Sequence, residues 1–296
     1  MGLPFIKSTV RSSLDNHFRI KIIISYTKNK GVQIMQTFFF GFLIAFSMYS
    51  KLPVPIVEWT KERMRYALCW FPAVGFVCGG LLWFWLRLAA HLTFHPVTAG
   101  CIASAIPVLL TGGIHLDGFL DTLDARSSYA DREKKLEILS DPHIGAFAPI
   151  GFAVYILFYT GAMVQLYVDV LAKGNWTMAA AFCLVFSLER AFSGLSVVYF
   201  PCAKNSGLAK SFSDGAQKSV TKIVLLAWIA AIGCGLTLLG WRELAAVGSA
   251  VVLTFIYYGK MAKREFGGIT GDLAGWFLQT AELAALLVLT VVSHGW

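Results

Sequence analysis

Seven long apolar segments, at about residues 66–90, 96–113, 147–170, 176–200, 222–240, 243–259 and 272–292, constrain this chain more than any other feature. Each is close to the roughly 20 residues that an α-helix needs to cross a bilayer, where a backbone without water must bond to itself. Composition agrees: 57% of the 296 residues are hydrophobic and 14% charged, whereas a soluble domain carries about 25% charged residues. The sequence therefore predicts an all-α fold, a polytopic integral membrane bundle of about seven transmembrane helices.

An earlier apolar run, Gln36–Ser50, has only about 15 apolar-rich positions, and Pro53 and Pro55 stop any helix that follows it. It is expected to form a short re-entrant or interfacial helix. Residues 1–34 hold six basic residues (Lys7, Arg11, Arg19, Lys21, Lys28, Lys30) against one acid, Asp15, and Ile20–Ile24 is too short for a signal-peptide core. This segment is expected to be a loosely ordered cytoplasmic extension. Met35 is the expected natural start, and residues 35–296 one membrane-embedded catalytic domain.

A net charge of +8 can signal nucleic acid, but here the placement of the basic residues says more than their sum. Counted from Lys51, alternate loops carry Lys51, Lys61, Arg63, Arg65; Arg126, Arg132, Lys134, Lys135; Lys204, Lys210, Lys218, Lys222; and Lys260, Lys263, Arg264. The intervening loops carry Arg87, Lys173 and Arg242. The positive-inside rule puts the basic side, and with it every polar motif, in the cytoplasm. A cytoplasmic (inner) membrane location and the lipid bilayer as partner follow, with no nucleic acid. The six cysteines lie in apolar runs without a CxxC pair, so neither zinc nor a disulfide framework is expected.

Seven of the 17 acidic residues fall between Thr111 and Gly145. Asp117, Asp121 and Asp124 are spaced i, i+4, i+7, which places three carboxylates on one helix face. Like charges that close repel, so either a cation sits among them or the face is solvated with Arg126, Arg132, Lys134 and Lys135 as counterions. Oxygen-only ligands suit Mg²⁺ or Mn²⁺ shared with substrate phosphates, an arrangement made for in-line displacement at phosphorus. His115 is a candidate general base, ligand or ordinary interfacial histidine. Asp141 with Pro142 reads as the start of another helix.

Two further constellations share the basic side. Glu189 and Arg190 lie in an apolar segment, where charges are either functional or paired, and Lys204 and Lys210 follow in a Gly/Ser-containing loop suited to phosphate. Gly267–Gly275 frees backbone N–H groups for an anion, and Thr270 or Asp272 can cap the last helix. Gly268, Thr270 and Asp272 are thus candidate binding residues, and Glu282 is expected to pair with a basic group inside the bundle.

Taken together, these stretches resemble the cobalamin synthase family, the adenosylcobinamide-GDP ribazoletransferases. The resemblance rests on Ser50–Pro55 (with Lys51 where the family usually has Arg), Thr111–Asp124, Leu136–Gly145, Pro201–Ala209 and Gly268–Asp272, in the family's order. It implies transfer of α-ribazole, or its 5′-phosphate, to adenosylcobinamide-GDP with release of GMP, the last assembly step of vitamin B12. It also implies Mg²⁺ on Asp117, Asp121 and Asp124, deprotonation of the ribose by His115 or one of these acids, and offsetting of phosphate charge by Arg126, Lys204 and Lys210, with Arg190 among the binding residues. A complex with other late corrinoid enzymes is a further implication. Departures are Ala125 and Ala148 where Gly is common, and Glu189 before Arg190. The rival readings are a CDP-alcohol phosphotransferase, whose downstream Asp spacing Asp131 and Asp141 do not meet, and a transporter of a corrinoid or an ion.

Overall fold

A computed structural model describes residues 30–174 and 176–295, with side chains described for residues 34–174 and 176–293. The expected extension therefore lies, up to residue 29, outside the described residues. Helix α1 (Lys30–Tyr49) runs through Met35, so the expected division at residue 34 falls inside one helix. Only Ile34–Tyr49 of it is strongly apolar, too short by composition to count as a span, in line with the short helix expected there. Ile34, Met35 and Phe39 are exposed, while Leu43–Phe46 pack into the protein.

After the short α2 (Lys61–Met64) and a 3-10 turn (Ala67–Trp70), the chain forms α3 (Phe71–His91), α4 (Pro96–Thr111), α5 (Ile114–Ser127) and α6 (Arg132–Ile138). It continues with α7 (Phe147–Lys173), α8 (Thr177–Tyr199), α9 (Leu208–Gly215) and α10 (Lys218–Leu239). Last come α11 (Trp241–Met261), prolonged by a π turn (Ala262–Phe266), and α12 (Gly271–Gly295). Among the described residues six helices are long and apolar enough to cross a membrane, or seven if α4 and α5 count as one broken span. No strand is present among them; one parallel bridge, Cys202 to Ile269, ties the loop after α8 to the loop before α12. The loop of residues 139–146 does not start a helix at Asp141, as the sequence suggested. The Asp141 carboxylate instead accepts from His143 N at 2.9 Å, and helix resumes only at Phe147.

The bundle is organised around α8, 83% of whose most apolar stretch is buried, against 17% for α10. α3, α10, α11 and α12 enclose it. The outer helices turn large apolar side chains outward: Leu157 is 72% exposed, Ile223 67%, Leu238 84% and Leu253 65%. Water would penalise that surface and lipid would not, which makes this a polytopic membrane protein.

Charges inside such a bundle must close on themselves. Arg190, fully buried, donates to Glu189 Oε1 at 2.6 Å and to Phe186 O at 2.9 Å, with Glu282 Oε1 at 3.9 Å. Glu282 has the basic partner expected of it, and of the two readings left open for Glu189 and Arg190 the structure has the paired one.

The feature that positions the site is a corner. Gly112 and Gly113 adopt φ of +65° and +78°, conformations costly for any residue with a Cβ, and the axis turns by 94° between α4 and α5. α5 consequently lies across the end of the bundle instead of continuing through it.

Candidate active site

α5 crosses the head of α12 in direct backbone contact. A Cβ on Gly118 would lie 2.6 Å from the Asp272 Cα, and one on Gly275 would lie 2.7 Å from the carbonyl oxygen of His115, so the crossing needs both glycines. Thr270 caps α12, accepting from Leu273 N at 3.2 Å while its hydroxyl donates to the Asp272 carboxylate at 3.2 Å. The crossing thereby sets Asp272 beside the acids of α5.

Burial deepens along α5 from exposed Asp117 through half-buried Asp121 to buried Asp124. Burial first, and then the Asp117, Asp272 and Asp124 carboxylates, push the Asp121 carboxyl up to about 7. The Asp117 and Asp121 carboxylates make no hydrogen bond or ion pair with any described residue. They form a repulsive pair with its lone pairs free.

Asp124, the third carboxylate of the expected metal set, is engaged differently. Its two oxygens accept from Gly145 N at 2.7 Å and Ala148 N at 2.8 Å, so Asp124 serves the orphan amides at the start of α7. Among the described residues no group of three or more His, Cys, Asp or Glu is gathered to hold a metal ion. The donors present fit a hard cation held by one or two carboxylates and completed by substrate phosphates and water, as Mg²⁺ commonly is, and do not fit a protein cage.

Other expected residues are also committed elsewhere. Arg126 donates to Glu265 at 3.3 Å and to Tyr257 Oη at 2.8 Å, and Lys135 joins Glu265 at 3.0 Å; this network fastens α5 and α6 to the π turn, so the Arg126 guanidinium is already neutralised. Arg190 is in the core cluster and not on the phosphate loops. Gly268 does not offer its amide to an anion: its N–H donates to Ala262 O at 3.0 Å, and a Cβ there would sit 2.4 Å from Pro201 O. Asp131 caps α6 through Lys134 N at 2.9 Å and stays apart from the acids.

The two lysines keep the expected side of the site. Lys204 and Lys210 line a cavity of about 200 Å³ together with Thr270 and Asp272. Lys204 donates to Ser140 Oγ, and Lys210 pairs with Asp214 at 2.5 Å, both on exposed side chains free to re-pair. Asp272 is a shared wall, because it also lines a larger cavity of about 850 Å³ with His115 and Asp117. His115 is buried, its ring 5.9 Å from both Tyr49 and Phe71, and its Nε2 has no partner. Burial, and behind it the Arg190 guanidinium, hold this imidazole well below the usual histidine range, so it stands neutral.

The aromatic wall of the larger cavity, Tyr49, Phe71 and Phe212, was missed from the sequence. Those residues come from three separate helices and carry no local signal beyond hydrophobicity.

Comparison with known proteins adds the following. The model of the cobalamin-5-phosphate synthase family matches residues 41–290. An adenosylcobinamide-GDP ribazoletransferase of Lachnoclostridium phytofermentans is 43% identical over 249 residues, 84% of this chain and 92% of its own length. The enzyme of that name from Ectopseudomonas mendocina is 33% identical, covering 84% of this chain and 97% of its own. One from Clostridium perfringens is 30% identical, covering 87% and 100%. No solved structure matches. With the match spanning the whole bundle from within α1 to within α12, the chain belongs to the cobalamin-5-phosphate synthase family.

Proposed function

We propose that this protein transfers α-ribazole, or its 5′-phosphate, to adenosylcobinamide-GDP, forming adenosylcobalamin or its 5′-phosphate and releasing GMP. The observation that carries the reading is the pair of unpartnered carboxylates, Asp117 and Asp121, set beside Asp272 where a cavity with lysines meets an apolar one. Asp117 and Asp121 would hold Mg²⁺, with Mn²⁺ an acceptable substitute; the ion, when bound, neutralises charge on the pyrophosphate.

Around it the chain's own groups divide the work. A ribose hydroxyl of the acceptor attacks the phosphorus that stays with the corrinoid, the P–O bond to GMP breaks, and the hydroxyl proton passes to a base. A carboxylate of the crossing would receive it, or His115 through its unpartnered Nε2, although burial and Arg190 oppose protonation there. Lys204 and Lys210 offset phosphate charge on the far side of Asp272. Catalysis at phosphorus is mostly positioning and charge neutralisation, and rigid helix ends supply the positioning.

The basic loops support an orientation in which α5, α9 and the loop before α12 lie on the cytoplasmic face of the inner membrane. That face is where soluble enzymes of late corrinoid metabolism would meet the protein in a complex. Residues 35–296 would act as one catalytic domain.

The test is GMP release by detergent-purified protein given adenosylcobinamide-GDP, α-ribazole and Mg²⁺, with and without EDTA. Release coupled to cobalamin formation and lost with EDTA is expected. No release from folded, metal-supplied protein overturns the reading.

A further inference from the structure

The two cavities that meet at Asp272 differ in charge. The smaller holds Lys204 and Lys210, whereas no Lys or Arg lines the larger. The acids that line the larger are Asp117 and Asp272. Part of its wall is aromatic: the Tyr49 ring is 4.2 Å from Phe71 and 5.8 Å from Phe212, centroid to centroid. Leu68, Val197 and Leu278 complete an apolar lining.

This division sorts the parts of the two substrates. A pyrophosphate meets lysines in the smaller cavity, whereas in the larger it would be met only beside Asp117, where Mg²⁺ would sit. Guanine carries donors and acceptors around its edges, and an apolar wall would leave them unpaired at a cost. A corrin ring is rimmed by polar amide side chains, for which the aromatic wall of this cavity of about 850 Å³ offers no partners. A dimethylated benzimidazole is neutral, flat and apolar, and stacks on aromatic side chains.

We propose that the cavity bounded by Tyr49, Phe71 and Phe212 is the acceptor's base pocket, taking a neutral bicyclic N-heteroaromatic riboside with its ribose toward Asp117 and Asp272. This rests on the ribazole-transfer reading. The aromatic wall then sets which lower base is accepted, while the acids set where its hydroxyl reacts. Phe212 and Ala209 sit three residues apart on α9, a helix at the mouth of the site, and both face the cavity. They are positions from which its size can be altered, Ala209 at a partly exposed edge and Phe212 from within the packed core.

Two variants and two readouts test this. Phe212→Ala removes part of the wall, and its KM for α-ribazole should rise about tenfold while that for adenosylcobinamide-GDP stays within about twofold. Ala209→Leu narrows the pocket and should shift preference by about tenfold toward the benzimidazole riboside lacking both methyl groups. A rise in KM for the corrinoid substrate alone, or no change in either KM in protein that keeps its wild-type melting temperature, overturns the proposal. Equilibrium binding of α-ribazole, read by its own fluorescence without the corrinoid, separates the two levels of inference. Binding that Phe212→Ala weakens, in protein that releases no GMP, supports the pocket and sinks the transfer reading. GMP release with binding indifferent to both variants does the reverse.

Discussion

Two clusters of charge sit about 15 Å apart along α12, one around Asp272 and one around Glu282, and they are built on opposite rules. At Glu282 the signs are mixed: Arg190 lies between Glu189 and Glu282, fully buried, and the protein answers its own charge. At Asp272 carboxylates predominate with Lys204 nearby, and those of Asp117 and Asp121 are left without a hydrogen bond or ion pair. A buried cluster of both signs holds the bundle together, with Glu189 Oε2, Arg190 Nε and Glu282 Oε1 still without a hydrogen-bond partner. One left open at a cavity mouth asks for something from outside, and that difference separates scaffold from chemistry.

The largest effect that would sharpen this contrast is expected from Asp121→Asn. Turnover, measured as GMP release, should fall about three orders of magnitude, while the melting temperature in detergent holds or rises because a repelled charge is gone. Normal turnover would merge the two clusters into one structural class. Next is Arg190→Met, which strands two buried carboxylates and should cost about 3–5 kcal/mol in stability; adding Glu189→Gln and Glu282→Gln should recover much of it. A melting temperature unmoved by Arg190→Met would break the contrast from the other side.

Magnesium gives an intermediate effect. At about a hundred times its dissociation constant it should stabilise wild type by about 2.7 kcal/mol, an increment absent in Asp121→Asn and retained in the combined Arg190 variant. Smallest is Asp124→Ala, which removes the acceptor for Gly145 N and Ala148 N and should cost about 1–2 kcal/mol. The magnesium increment should survive it. Its loss there would return Asp124 to the metal set.

Hydropathy and charge made the helical frame legible, because spanning length and loop charge are properties of contiguous sequence. The pairing of Glu282 with a basic group was legible too, since an apolar environment permits few alternatives. Side-chain commitments made by remote backbone were not. The i, i+4, i+7 spacing treats Asp117, Asp121 and Asp124 alike, and only the loop at residues 145–148, more than 20 positions downstream of Asp124, engages the third with backbone amides. Likewise nothing local tells that the Gly268 amide is spent on Ala262 or that Arg126 is held by Glu265. The aromatic wall needed Tyr49, Phe71 and Phe212 brought together from distant parts of the chain.

The corner at Gly112–Gly113 has a consequence for the lipid around it. α4 has 16 residues and so is about 24 Å long, short of the roughly 30 Å of hydrocarbon it adjoins. Hydrophobic mismatch of that size is relieved by local thinning of the bilayer. A bilayer thinned beside α5 would bring headgroups and water down toward the acids. An amphipathic acceptor dissolved in the headgroup layer can then enter sideways from the lipid as well as from solution.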